Sequence, residues 1–122
     1  EFKNVLGNLL SDGSIMCIPV AGDLPPKCGV SGVLQADFRL ATLRLTAIAS
    51  FSGFPQITIP VGKAPGSGYP LALGFIAAPG NDFLLLDLAV ILEQAQKADP
   101  ETVTKMAKAV MEKVKSQSSS KT

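Results

Sequence analysis

Residues 48–62, IASFSGFPQITIPVG, followed by residues 69–76, YPLALGFI, decide the fold of this 122-residue chain. Within the first stretch, residues 56–61 alternate between apolar and polar side chains, which predicts a strand. Residues 71–77 are apolar on both faces and predict a second strand. A parallel pair needs a crossover of about a dozen residues or more, and the intervening turn is shorter. The two strands are therefore predicted to pair as antiparallel neighbours.

The stretch is preceded by a long helical pattern over residues 34–52. One set of residues recurs at steps of three and four and marks one helix face, and a second apolar set covers much of the remaining circumference. The sequence therefore predicts a helix that is mostly buried. The first set is Phe38, Ala41, Leu45, Ile48 and Ser52, and the second is Leu40, Leu43 and Ala47.

Further upstream, residues 1–10 show the spacing of a helix that ends at the Ser-Asp-Gly turn. Residues 14–20, SIMCIPV, form a short apolar run between turns and predict a buried strand. Cys17 in this run is predicted to be a small buried hydrophobe. With Cys28 as the other cysteine, no disulfide-dense pattern arises, and both are predicted to be free thiols in a reducing compartment.

Downstream, residues 83–97 predict a helix with a leucine-rich face. The sequence Asp-Pro-Glu at 99–101 is typical of a helix start and begins a last amphipathic helix. The predicted organisation is thus a domain part over residues 1–97, an amphipathic helix over 98–115 and a disordered polar tail over 116–122.

The composition limits the function classes. The chain is 47% hydrophobic and only 17% charged, which favours a segment that is buried in a larger protein or pressed against a partner. No apolar run is long enough for a transmembrane helix, and the basic residues are too dispersed for a nucleic-acid surface. The chain contains no histidine and no nucleotide-binding or metal-binding motif, so we expect no cofactor and no metal.

Taken in order, these segments resemble the C-terminal block of the amidase-signature family. In that family an alanine-rich helix ends in a small-residue turn, enters a strand that ends in Pro-x-Gly and returns through a strand of small and apolar residues. The resemblance covers about residues 1–95. Within the family, the sequence of these segments most resembles the plant indole-3-acetamide amidohydrolase and plastid outer-envelope 64-kilodalton receptor branch. The segments that carry it are residues 12–19, Pro25-Pro26, residues 48–62, residues 69–76 and residues 80–85.

The resemblance implies an α/β fold with a mixed sheet, of which this chain would be a C-terminal fragment. It would contribute a strand, a buried helix, an antiparallel strand pair and C-terminal helices. The family hydrolyses amides with a Ser–cis-Ser–Lys triad in the N-terminal half of its domain, and no segment here matches that part. Lys27 and Lys63 lie in predicted loops and do not match the family's lysine, so no catalytic residue is assigned.

Three residues near the central turn are candidates for lining a substrate pocket: Phe51, Phe54 and Gln56. Core or turn packing is the simpler interpretation of the same residues, and it is favoured. The implied partners are the missing N-terminal half of the domain and, in the intact protein, a small amide substrate. The oligomeric state is left open, with a homodimer as one option.

Three functional hypotheses follow. The favoured one is a fragment of an amide hydrolase in the cytoplasm, which would be inactive by itself. The second is a non-catalytic amidase-like scaffold of a plastid envelope receptor, on its cytosolic face, which binds preprotein or chaperone. The absence of a 34-residue helical repeat in this chain argues against it. The third is an independent α/β binding module, which unpaired sheet edges disfavour.

Overall fold

A computed structural model describes residues 1–99 together with residues 101, 104, 105 and 108. Each helix and strand described corresponds to a predicted one, so the predicted α/β composition is confirmed. In chain order the elements are α1 (Phe2–Leu9), β1 (Met16–Pro19), α2 (Gly32–Ser52), β2 (Gln56–Lys63), β3 (Pro70–Ile76) and α3 (Asp82–Lys97).

The chain divides into two compact units, Glu1–Leu85 and Leu86–Thr122. The predicted amphipathic helix over 98–115 lies largely outside the described residues, and the tail over 116–122 lies wholly outside them. At the predicted helix start, the Glu101 amide donates a hydrogen bond of 3.0 Å to Asp99 Oδ1. The predicted organisation into 1–97, 98–115 and 116–122 stays a prediction.

The three described strands form one sheet in the order β1-β3-β2. Both neighbouring pairs are antiparallel, which confirms the predicted pairing of β2 with β3. The hairpin between them is closed by hydrogen bonds from the Ala64 amide to Tyr69 O at 2.8 Å and from the Gly68 amide to Ala64 O at 3.0 Å. Pro60 lies in β2, an edge strand, where a residue without an N–H is tolerated.

The core forms where α1, the end of α2 and one face of the sheet meet. Ile76 of β3 is fully buried, and Ile18 of β1 packs beside it. Burial of a large apolar side chain contributes about 1.5 to 3 kcal/mol, so the leucine, isoleucine and phenylalanine side chains of this cluster stabilise the first unit. The cluster consists of Leu6, Leu10, Ile18, Ala49, Phe54 and Ile76.

Helix α2 confirms the predicted inward face but not the predicted burial. The five residues of that face are buried or half-buried, whereas Leu40 and Leu43 are 51% and 60% exposed. The prediction of a mostly buried helix is therefore wrong for the described residues. The physical reason is that a helix with apolar residues all round needs neighbours on both sides, and the described residues cover α2 on one side.

Strand β1 also differs from its prediction. Cys17 is exposed, and only Ile18 of this strand is buried. Successive side chains of a strand point to opposite faces, so Ile18 on the core side places Cys17 on the other side. The prediction of a buried Cys17 is wrong, because the apolar run was interpreted as a strand covered on both faces. Cys28 is likewise an exposed free thiol.

No helix among the described residues combines the length and the apolarity that crossing a bilayer requires.

Candidate functional site

Gln56 begins β2 and lies on the sheet face that carries the core, because it pairs with Ile76. Its side chain lies over Gly74: a Cβ placed on Gly74 would be 2.7 Å from Gln56 Nε2. The same Cβ would be 3.2 Å from Val20 Cγ1 and 3.3 Å from Ile18 Cγ1. The half-buried carboxamide of Gln56 therefore occupies space that exists only because residue 74 has no side chain.

Phe54 lies in the turn between α2 and β2 and is 6% exposed. Its ring reaches α1, where a Cβ placed on Gly7 would be 3.6 Å from Phe54 Cζ. The Phe54 amide is held in the same turn by hydrogen bonds of 3.3 Å to Ala49 O and to Ser52 Oγ. In the described structure Phe54 thus packs in the core.

Phe51 lies in the last turn of α2 and is 84% exposed. It borders an open groove of about 540 Å³ between the first residues of α1 and the second half of α2. Both apolar and charged side chains line this groove. The lining residues are Glu1, Phe2, Lys3, Arg44, Ala47, Ile48 and Phe51. A volume of this size lies within the range of small-molecule pockets, although its openness also suits a macromolecular contact.

The three predicted pocket residues are therefore not brought together in one cavity. Phe51 borders the groove, Phe54 is buried beneath α1, and Gln56 lies over Gly74 on the sheet. Their role in lining a substrate pocket stays a prediction.

Several serine hydroxyls in the described chain bind nearby backbone groups. Ser52 is 2% exposed, and its Oγ donates to Ile48 O at 2.8 Å or to Ala49 O at 3.1 Å. Ser50 Oγ donates to Thr46 O at 3.2 Å, and Ser11 Oγ donates to Asn8 O at 2.8 Å. These contacts are typical of serine at helix ends and in turns. They give these hydroxyls a structural role.

The carboxyl groups with perturbed pKa values lie in local surface contacts. Hydrogen bonds from the Ser14 side chain and backbone hold the pKa of Asp12 below its usual value. A hydrogen bond and the positive charge of Lys97 lower the pKa of Glu93, one helical turn away. Both carboxyl groups are fully exposed, so neither resembles a general acid in a buried site. Among the residues that the structure describes, no three His, Cys, Asp or Glu side chains are grouped to bind a metal ion.

Comparison with known proteins identifies several plant relatives. The chain is 37% identical over 94 residues to Amidase 1 of Oryza sativa subsp. japonica, an alignment that covers 77% of this chain. It is 36% identical over 126 residues to Translocon at the outer membrane of chloroplasts 64 of Pisum sativum, which covers 99% of this chain. It is also 36% identical over 87 residues, or 71% of this chain, to the chloroplastic Outer envelope protein 64 of Arabidopsis thaliana.

The chain is distantly related to the amidase-signature family. It spans about a fifth of the length of the first two of these relatives, 21% of the rice protein and 20% of the pea protein, and 14% of the Arabidopsis protein. No family model matches the chain. No solved structure matches it either.

Sequence analysis of this amidase-related segment missed the groove and the two cationic side chains that line it, Lys3 and Arg44. The sequence does contain a signal for an apolar surface at this place, because Ala47 and Phe51 are spaced one turn apart and lie outside the inward face of α2. What the sequence did not provide was the position of α1. Only the packing of α1 against the end of α2 brings Phe2 beside these residues.

Proposed function

We propose that this chain is part of an amidase-signature amide hydrolase, which converts a carboxamide into a carboxylate and ammonia. In this proposal the chain supplies sheet, core and part of the pocket wall, and the Ser–cis-Ser–Lys triad lies in another part of the protein. The observation that carries the proposal is the 37% identity to Amidase 1 of rice over 94 residues.

The chemistry of the described residues supports a non-catalytic role for this segment. Acyl transfer by a serine needs an activated hydroxyl and a base within hydrogen-bonding reach. The hydroxyls of Ser11, Ser50 and Ser52 donate hydrogen bonds to backbone carbonyls instead. We therefore expect the purified chain to release no ammonia from simple amides, and turnover above the blank would contradict this expectation.

Phe51 and Gln56 are the residues that we propose for contact with the substrate side, because both carry side-chain surface that the described residues leave accessible. Gln56 offers an N–H donor and a carbonyl acceptor, the complement of a carboxamide. Phe54, at 6% exposure, would support them from the core.

A chimera tests the proposal. The matching segment of rice Amidase 1 would be replaced by the aligned residues of this chain, and ammonia release would be measured with an amide that the parent enzyme hydrolyses. We expect the chimera to retain activity within about tenfold of the parent, since it keeps the parent's own reacting groups. The control is Amidase 1 without the segment, which should be inactive. A chimera that melts cooperatively but shows no turnover would refute the proposal.

A second candidate is a non-catalytic scaffold at an organelle envelope, with a preprotein or chaperone as its partner. The observation that favours it is that the alignment with the pea translocon protein covers 99% of this chain, against 77% for rice Amidase 1. The test is the location of the protein with a fluorescent tag in plant cells. A rim around plastids favours the scaffold, whereas a diffuse cytoplasmic signal favours the hydrolase.

A further inference from the structure

The groove between α1 and α2 is lined by residues of the first unit, Glu1–Leu85. Two aromatic rings border it, Phe2 at 51% and Phe51 at 84% exposure, and Ala47 and Ile48 add further apolar surface. Its volume of about 540 Å³ lies in the range of small-molecule pockets. The groove therefore offers the apolar part of a small molecule contacts on two helices.

The charged side chains of the groove favour an anion. Lys3 on α1 and Arg44 on α2 both line it, and neither forms an ion pair with a residue that the structure describes. Among the described lining residues Glu1 is the one acidic side chain, so cations outnumber carboxylates by two to one. A guanidinium group binds a carboxylate through two parallel hydrogen bonds, and an ammonium group adds a point charge. A ligand with one carboxylate next to an apolar body thus matches these side chains.

Charge also separates the groove from the exposed apolar side chains of α3. That helix exposes Phe83, Leu86 and Val90 to 80%, 53% and 54%. The charged side chains beside them are acidic, because Asp82 directly precedes Phe83 and Asp87 lies one turn after it. A carboxylate would be repelled at this part of α3, whereas the groove presents two cations to it. Apolar exposure alone does not distinguish the two places, but the sign of the charge does.

We propose that the groove is a binding site for a small amphipathic carboxylate. The apolar body of this ligand lies against Phe2 and Phe51, and its carboxylate contacts Lys3 and Arg44. The inference rests on the proposed function, which already assigns Phe51 to the substrate side, and it adds the chemical class of the ligand. Hydrolysis adds water to a neutral amide and releases a carboxylate and ammonium. The groove therefore retains the product of the proposed reaction in preference to the amide.

The test uses two probes with the same carbon skeleton, 4-phenylbutyrate and its neutral amide, 4-phenylbutanamide. Each is titrated into the isotope-labelled chain at pH 7, and binding is followed by the NMR shifts of the backbone amides. We expect the carboxylate to bind with a Kd on the order of 1 mM, to shift residues 2, 3 and 44–51 most, and to bind more weakly as salt is added. The amide should bind about fivefold more weakly. Equal binding of the two probes, or shifts confined to α3, would overturn the proposal.

Charge variants with opposite expected signs test the contacts of the carboxylate. Arg44→Gln should weaken the binding of 4-phenylbutyrate by about two- to fivefold, whereas Arg39→Gln, on the same helix but outside the groove, should leave it unchanged. Glu1→Gln removes the charge that repels the ligand and should tighten binding by about twofold. A loss of folding cannot produce a tighter complex, so this variant separates charge from stability. Equal effects of the two arginine variants would refute the contact with Arg44.

A matched pair of phenylalanine variants tests the apolar contact. Phe51 in the groove and Phe83 on α3 are exposed to a similar extent, at 84% and 80%, so their loss should affect folding alike. Phe51→Ser should weaken the binding of 4-phenylbutyrate by about three- to tenfold, and Phe83→Ser should leave it unchanged. Weakening by Phe83→Ser alone would place the probe on α3 and contradict the proposal.

The outcomes separate this inference from the proposed function, because binding in the isolated chain requires no turnover. An inactive Amidase 1 chimera, together with probe binding that Arg44→Gln weakens, would refute the hydrolase and keep the site. An active chimera, together with an isolated chain that does not bind the carboxylate, would refute the site alone. A second copy of the chain is the competing occupant. A dimer that Phe51→Ser dissociates and that excludes the probe would overturn the proposal in favour of it.

Discussion

At Gly74, the packing of the neighbouring side chains explains why the sequence has a glycine. The strand could accept a side chain at this position, but the Gln56 carboxamide, Val20 and Ile18 occupy the space that it would need. A glycine in a strand interior is otherwise unfavourable, so its presence is explained by the close approach of these neighbours.

We predict that Gly74→Ala lowers the free energy of unfolding by about 1 to 3 kcal/mol, because the added Cβ overpacks this site. The nearest obstacle, Gln56 Nε2 at 2.7 Å, is the end of a flexible side chain. The double variant with Gln56→Ala should therefore recover part of the loss, whereas Gln56→Ala alone should change little. Urea unfolding of the four proteins gives the coupling. Additive effects would show that Gln56 does not occupy the site.

Ser52 is a second residue whose role follows from its contacts. Its buried hydroxyl bonds to carbonyls of the last turn of α2 and accepts a hydrogen bond from the Phe54 amide. We predict that Ser52→Ala costs about 1 kcal/mol of stability. The matched variant Ser50→Ala, at an exposed hydroxyl of the same helix, should cost less. In the Amidase 1 chimera, a fall in kcat for Ser52→Ala at unchanged stability would contradict a purely structural role.

At the scale of elements, local sequence patterns predicted the helices and strands themselves better than the contacts between them. The repeat of Phe38, Ala41 and Leu45 identified the inward face of α2, because helical periodicity is a property of the sequence itself. The short connection between β2 and β3 predicted their pairing for the same local reason. The central position of β3 could not be predicted, since β1 reaches it from a distant part of the chain.

The candidate site was harder to predict than the fold. Phe51 and Phe54 are three residues apart, yet one is exposed at the groove and the other is buried in the core. The helix ends between them, so helical periodicity no longer relates their directions. Leu43 and Cys17 were predicted to be buried because they lie in apolar stretches of the sequence. Both are exposed, because apolarity alone does not tell which face of a helix or strand has a neighbour.

The end of α2 depends on Gly53, which adopts a left-handed conformation at φ 70° and donates its amide to Ala49 O at 2.8 Å. We predict that Gly53→Ala lowers the stability by about 1 kcal/mol, because a Cβ disfavours this conformation even where space is open. Gly32→Ala, at the first residue of the same helix and also with open space, is the control and should be neutral or stabilising. Thermal or urea unfolding that gives equal effects for both variants would contradict the role of φ.

At the scale of the whole molecule, the same helix serves two surfaces. The inward side of α2 joins the cluster around Phe54 and Ile76, whereas Leu43 and Phe51 on its outward side are 60% and 84% exposed. A free domain usually covers its second side with charged residues, yet this chain is only 17% charged. In the first unit, the described residues therefore cover α2 on its inward side and leave its outward side exposed.

This arrangement leads to a prediction about the isolated chain. It should bind an apolar fluorescent dye while still unfolding cooperatively, because Phe2 and Val5 of α1 and Leu43 and Phe51 of α2 are exposed in the folded state. A molten globule also binds such dyes, but it lacks fixed packing and a cooperative transition. The double variant Leu43→Ser and Phe51→Ser should therefore bind clearly less dye at an unchanged Tm. Dye binding that this variant leaves intact would show that the accessible apolar surface does not lie on the outward side of α2.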